Sequence, residues 1–446
     1  MEYIRNRLRY FDNSYDYFPI NEIHVNRGDD CEEEDSIDIV ERFEKFVNND
    51  ASQYEYFRIF FELKSYDVFY QLTTPAKLFS FLNDVFINGN DIQQFNSLIL
   101  INLLLQLKDV DLSFWKNMSF LEHVMEMLKS DNKISNKLGL DVISNVLIEF
   151  PDVFQIFVEK GFFNSFADVL NFDGYTQDEM DANEFYKEIV DVAAGNLYTI
   201  VHGNVFSKND LENLWIISSI LIKCDSSYAM EIGLGAMKVI LNDGLNVEPN
   251  DTAIEYFVEL SYEGGNILSY LFDLLLSFKN SEKIIKRCFE MGLYTSLESI
   301  LESYSIDSSL IYDFLAKIKF SINNDNLGQI TSNLLFNGQF QTICSILKYL
   351  FVILEQEHID FIQELIKKGL FSLIENLLRS CDNEQILILT LNFISKIIKI
   401  LKNDNVNIMK LNYFDNIIDA LEELSLNENL HVSEYCLALY NSFVVK

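Results

Sequence analysis

Gly161-Phe162-Phe163-Asn164-Ser165-Phe166-Ala167-Asp168-Val169-Leu170 returns as Gly292-Leu293-Tyr294-Thr295-Ser296-Leu297-Glu298-Ser299-Ile300-Leu301. It returns again as Gly369-Leu370-Phe371-Ser372-Leu373-Ile374-Glu375-Asn376-Leu377-Leu378. Each copy is a glycine, two apolar residues, an apolar residue three or four further on, and a pair ending in Leu. A leading glycine suits a tight break between two helices. The apolar spacing lays one stripe against a neighbouring helix. Looser copies start at Ser119 and Asn412.

Outward from these phrases the chain reads as helix almost throughout. Each phrase is followed, after a polar turn, by a longer and very apolar helix. These are predicted at Gln93–Gln106, Lys133–Glu149, Glu184–Val201, Ser227–Leu241, Ser308–Ile322, Phe340–Leu354, Glu384–Lys402 and Leu430–Val444. A short helix precedes several phrases, at Pro151–Lys160, Ser281–Met291 and His358–Lys368. Units of about 40–47 residues with two or three helices are the signature of HEAT and armadillo arrays. Three helices per unit favours armadillo. The expected fold is all-α: a right-handed armadillo-repeat solenoid of about nine units over residues 37–446, since each unit buries little alone and must stack on the next.

Composition agrees. The 446 residues are 49% hydrophobic, enough for a large core, and hold only 16 Gly and 4 Pro, too few turn residues for a large all-β fold. Residues 1–36 lack clear periodicity, end in the run Asp29–Asp35, and read as a flexible arm. Asp173–Asn183 reads as an acidic inter-helix loop. No signal peptide and no membrane span are expected.

Charge narrows the partners. There are 68 acidic against 34 basic residues, a formal net charge of −34. Such a surface repels nucleic acid and acidic lipid and attracts basic partners. The six cysteines include no CxxC pair, and the five histidines stand in different repeats, so no metal or cofactor is expected. No phosphate-binding loop, nucleophile elbow or HExxH occurs, and the chain reads as a non-enzyme.

Several long helices carry an Asn within an apolar run: Asn102, Asn145, Asn196, Asn392 and Asn441. A side-chain amide both donates and accepts, as does the backbone of an extended peptide. An Asn ladder with Asp141, Glu188 and Asp191 beside it would hold a basic extended peptide. Five such bonds at about 0.5–1.5 kcal/mol net each give a millimolar to sub-millimolar complex. The alternative is that each Asn is satisfied by its own helix or the next repeat, in a chain with 43 Asn.

The sequence also resembles the importin-α family of nuclear-import adaptors. Arg7-Leu8-Arg9-Tyr10-Phe11-Asp12-Asn13 is similar to the R-L-x-x-F-K-N opening of that family's importin-β-binding segment, with Arg7, Leu8, Phe11 and Asn13 matching. Asp91-Ile92-Gln93-Gln94-Phe95-Asn96-Ser97, Asp152–Gly161 and Ile418–Asn429 resemble further stretches of it. The resemblance implies an adaptor that binds nuclear localisation signals in a concave groove, engages importin-β, and moves between cytoplasm and nucleus. Two departures stand out. The family's groove Trp, four residues before the Asn, is replaced here by Leu98, Asp141, Val192, Ile388 and Leu437, and the arm has no Lys and no Arg cluster. Loss of the Trp array leaves a second expectation, a scaffold for a folded protein partner.

Overall fold

The computed structural model describes residue 45 and residues 75–105, 113–130, 132–171, 184–203, 206–303, 307–319, 325–355, 359–381, 383–403, 414–426 and 429–444. Among the described residues the protein is all-α, with 21 α-helices and no strand. Its contacts divide it into two compact units, Met1–Val247 and Glu248–Lys446. The arm 1–36 and the acidic loop 173–183 lie outside the described residues.

The first unit contains α1 (Pro75–Asn88), α2 (Asp91–Leu104), α3 (Met118–Leu128), α4 (Lys133–Glu149), α5 (Phe154–Glu159), α6 (Phe162–Val169), α7 (Glu184–Gly203), α8 (Lys208–Leu221) and α9 (Ser227–Asn242). They form two layers. α1, α3, α6 and α8 pack in series, and α2, α4, α7 and α9 pack in series behind them. Trp115, on a short 3-10 turn, is sealed among Phe79, Phe114 and Phe120, its ring centroid 4.8–5.6 Å from theirs.

The second unit contains α10 (Asp251–Leu260), α11 (Gly265–Ser277), α12 (Ser281–Glu290), α13 (Leu293–Glu302), α14 (Ser308–Lys317), α15 (Asp325–Asn337), α16 (Phe340–Glu355), α17 (Ile359–Lys367), α18 (Leu370–Ser380), α19 (Glu384–Asn403), α20 (Phe414–Leu424) and α21 (Leu430–Val444). Here α14, α16, α19 and α21 pack in series, with α18 and α20 paired beside the last two. Phe272 of α11 stacks on Phe314 of α14 at 3.9 Å.

The three repeated phrases become α6, α13 and α18. Their leading glycines have φ of +88°, +114° and +104°, a backbone that side chains with a Cβ resist. The predicted long helices form with ends within two residues, except that α14 stops at Lys317. There the chain turns through Lys319 at φ +53°, a left-handed residue of the kind that closes helices.

Side-chain pairs link helices at a near-constant sequence offset. In the first unit these are Lys116–Asp152, Glu122–Lys160 and Asn102–Asn145, at offsets of 36, 38 and 43. In the second they are Asp251–Arg287, Asp313–Lys348, Glu375–Asn416 and Asn392–Tyr435, at 36, 35, 41 and 43. Offsets of 35 to 43 residues recur in both units, which makes the architecture repeat-like.

Candidate functional site

Asn102 has no exposed surface, and neither does Asn196. Asn102 lies where Leu98, Ile99, Leu100 and Ile101 are also buried, so α2 is enclosed round its whole circumference there. Its Oδ1 accepts from Asn145 Nδ2 at 2.8 Å, and its own Nδ2 is buried without a partner. Asn196 Nδ2 donates to Val192 O, one turn back at 2.9 Å, and its Oδ1 is likewise buried without a partner. Asn145 is half-exposed, as is Asn392, whose Oδ1 accepts from Tyr435 OH at 2.5 Å. Asn441 is exposed. The structure therefore joins Asn102 to Asn145 and seals Asn102 and Asn196. An open ladder through these two does not exist in the packed state.

The acidic candidates are engaged internally. Asp141 is buried on α4. Glu188 accepts from Lys137 Nζ at 2.6 Å, which neutralises it locally. Asp191 accepts the Ser226 hydroxyl at 2.6 Å, and Ser226 also caps α9 by accepting from Ala229 N–H. Burial pushes the Asp191 carboxyl above its usual range, and neighbouring Glu188 adds to the shift. The Ser226 bond and Lys187 oppose it. Arg7, Leu8, Phe11 and Asn13 of the arm lie outside the described residues.

In the first unit, α7 carries exposed polar positions close to the Asn-bearing helices. Glu188, Asp191 and Val192 form one half-exposed patch and Tyr198, Thr199 and His202 a second, half-exposed or exposed, with the buried turn 193–197 between them. Tyr198 and His202 stack at 4.2 Å. Packed alongside, α9 offers Tyr228, Glu231, Ile232, Gly235 and Lys238, all partly exposed. Sequence reading missed Tyr198 and His202. The available signal was two rings four residues apart on the polar side of an otherwise apolar helix.

Chemistry elsewhere is quiet. Cys224, Cys288, Cys344, Cys381 and Cys436 are buried and free, and burial pushes Cys288 up to about 12 and Cys436 up to about 11. The Cys288 and Cys436 thiols therefore stay protonated and inert near neutrality. Among the described residues no group of three or more His, Cys, Asp or Glu could hold a metal ion, and no helix is long and apolar enough to cross a membrane. A cleft of about 440 Å³ lies between α10 and α12, lined by Lys283, Lys286, Arg287, Glu248, Asp251 and Glu290. Arg287 bridges Asp251 and Glu290 across it, and this bonding pulls the Asp251 carboxyl below its usual range.

No known protein family matches the sequence, and no curated protein does. The fold has a solved counterpart. It is similar to the crystal structure of an engineered protein from the Northeast Structural Genomics Consortium, with a TM-score of 0.55 and 15% identity, over 90% of this chain and 98% of that one. At that identity the likeness concerns the fold alone. Among the described residues the protein is all-helical and repeat-like.

Proposed function

We propose that this chain is a non-catalytic adaptor of armadillo type. It binds an extended, basic segment of a partner protein along the exposed patches of α7 and α9 in the first unit. The observation that carries the reading is the pair of exposed patches on α7, 188–192 and 198–202, beside the partly exposed Tyr228, Glu231, Ile232, Gly235 and Lys238 of the adjoining α9. Charge supports it: residues 1–247 hold 41 acidic and 19 basic side chains. The Asn ladder contributes less than the sequence implied, because Asn102 and Asn196 are sealed. Binding rests on the acidic surface of the unit as a whole, the Tyr198 and His202 rings, and Asn145, because Glu188 and Asp191 are already held by Lys137 and Ser226. Nuclear import, importin-β engagement and residence in cytoplasm and nucleus follow only from the importin-α resemblance and are proposals of the same rank.

The test is titration of a fluorescent bipartite basic peptide at low and at physiological salt. Saturable binding, weakened in Asn145→Ala/Tyr198→Ala, supports the adaptor. Binding that vanishes with salt and ignores these substitutions reflects diffuse attraction to an acidic surface and sinks it.

A second reading, a scaffold for a folded partner, is favoured by exposed apolar residues at the starts of three helices: Ile92 on α2, Ile134 on α4 and Met118 on α3. Loss of a captured partner in Ile92→Ser/Ile134→Ser, with peptide binding intact, would select it.

A further inference from the structure

The stripe that carries Asn392 differs in chemistry from the α7 face. On α19, Gln385, Ile388, Leu389, Asn392, Lys396 and Lys399 recur at three and four residues and are all half-exposed or exposed. The Asn392 carbonyl oxygen is taken by Tyr435 OH. Its amide nitrogen has no protein partner among the described residues. Lys396 and Lys399 are one and two turns further along, and neither forms an ion pair among the described residues. A lysine ammonium only donates. The C-terminal half of the stripe therefore offers donors and positive charge.

This is unusual for the chain. Counting the acids Glu384 and Glu434, α19 and α21 together hold three lysines to two carboxylates, while the whole chain holds two acids for every base. On the adjoining α16, Lys348 is held by Asp313 of α14 at 3.4 Å, so that pair adds no net charge. The resemblance to importin-α would have Asn392 hold a basic peptide. Lys396 and Lys399 would repel one.

We infer that the α19 face of the second unit is a docking surface for an acidic, extended protein segment. The Asn392 amide donates to a backbone carbonyl of the segment, and Lys396 and Lys399 pair with its Asp or Glu side chains. Donor-only chemistry favours an acceptor-rich ligand. A short acidic peptide fits better than a nucleic acid, because the second unit as a whole holds 27 acidic and 15 basic side chains and repels a long polyphosphate. This surface is separate from the α7–α9 face and does not depend on the function proposed there.

The test is fluorescence anisotropy with a labelled Glu-rich decapeptide and the full chain at low and physiological salt. Lys396→Glu/Lys399→Glu is expected to weaken binding more than tenfold, and Asn392→Ala severalfold, with unchanged circular dichroism and melting temperature. Lys208→Glu/Lys367→Glu alters the net charge equally at exposed sites on α8 and α17, and is expected to change binding less than twofold. The inference is overturned if the wild-type chain does not bind the acidic peptide, if the control pair weakens it as much, or if a single-stranded oligonucleotide displaces it at lower concentration than unlabelled peptide does. The basic-peptide titration run in parallel reports on the α7–α9 face alone.

Discussion

Two asparagine-centred pairs, Asn102–Asn145 and Asn392–Tyr435, sit at the same offset of 43 residues and have opposite fates. In the first unit Asn102 and Asn145 meet amide to amide, and Asn102 is closed in by its own helix's neighbours. In the second, Asn392 meets Tyr435, and both remain half-exposed on an open stripe. The offset brings the two side chains of each pair together across packed helices. It does not decide whether the meeting point faces solvent. The first pair links α2 and α4 internally, and the second leaves the Asn392 amide nitrogen without a partner among the described residues.

The largest test of this contrast is to hollow out the sealed side. Trp115→Ala should cost about 3–5 kcal/mol, the range for a fully buried aromatic, read as a lowered urea midpoint. Phe340→Ala at the half-exposed start of α16 should stay within about 0.5 kcal/mol. Similar losses at both positions would break the comparison.

A charge probes the pairs themselves. Asn102→Asp places a carboxylate where water cannot reach, and should destabilise by about 3 kcal/mol or more. Asn392→Asp at the open pair should cost less than about 1 kcal/mol. Equal costs would mean that the two sites are equally closed.

The glycine breaks should behave alike in the two units. A Cβ on Gly161 or Gly369 meets nothing within 4 Å, so only backbone strain opposes it. Gly161→Ala and Gly369→Ala should each cost about 1–2 kcal/mol, the left-handed penalty. A much larger loss at one would reveal a packing role that the structure does not show.

The smallest effect concerns pH at Asp191. Its folded-state pKa is raised, chiefly by burial. The native state therefore binds this proton more tightly than the unfolded chain does. The resulting stabilisation is fully present below the unfolded carboxylate pKa and is lost as pH rises through the raised folded value. Asp191→Asn, which keeps an acceptor for Ser226, should gain on wild type as pH rises through that window. A difference in urea midpoint that stays flat across it would contradict the burial argument.

Much of the fold was legible because its signals are local. The start of α4 at Lys133 and its end at Glu149 follow from an unbroken apolar periodicity after Asn132, whose side chain caps the helix. The breaks at Gly161, Gly292 and Gly369 follow from the one residue type that adopts positive φ freely. The candidate site was less legible. Glu188 and Asp191 were found as acids near the groove helices, but their partners Lys137 and Ser226 lie 51 and 35 residues away. Tyr198 and His202 went unnoticed because an exposed ring and a core ring look the same in a helical pattern.

By itself, the sequence determined that the protein is helical, where the helices begin and turn, and that its surface is acidic. These follow from dihedral preferences, apolar spacing and composition, which act within a turn or two or sum over the chain. Only the tertiary structure decided which asparagines are sealed, which carboxylates are spent on internal partners, and which positions stay open on α7 and on α19. Burial and pairing are set by neighbours some 35 to 50 residues distant, and a side chain's own segment does not say what will be packed against it.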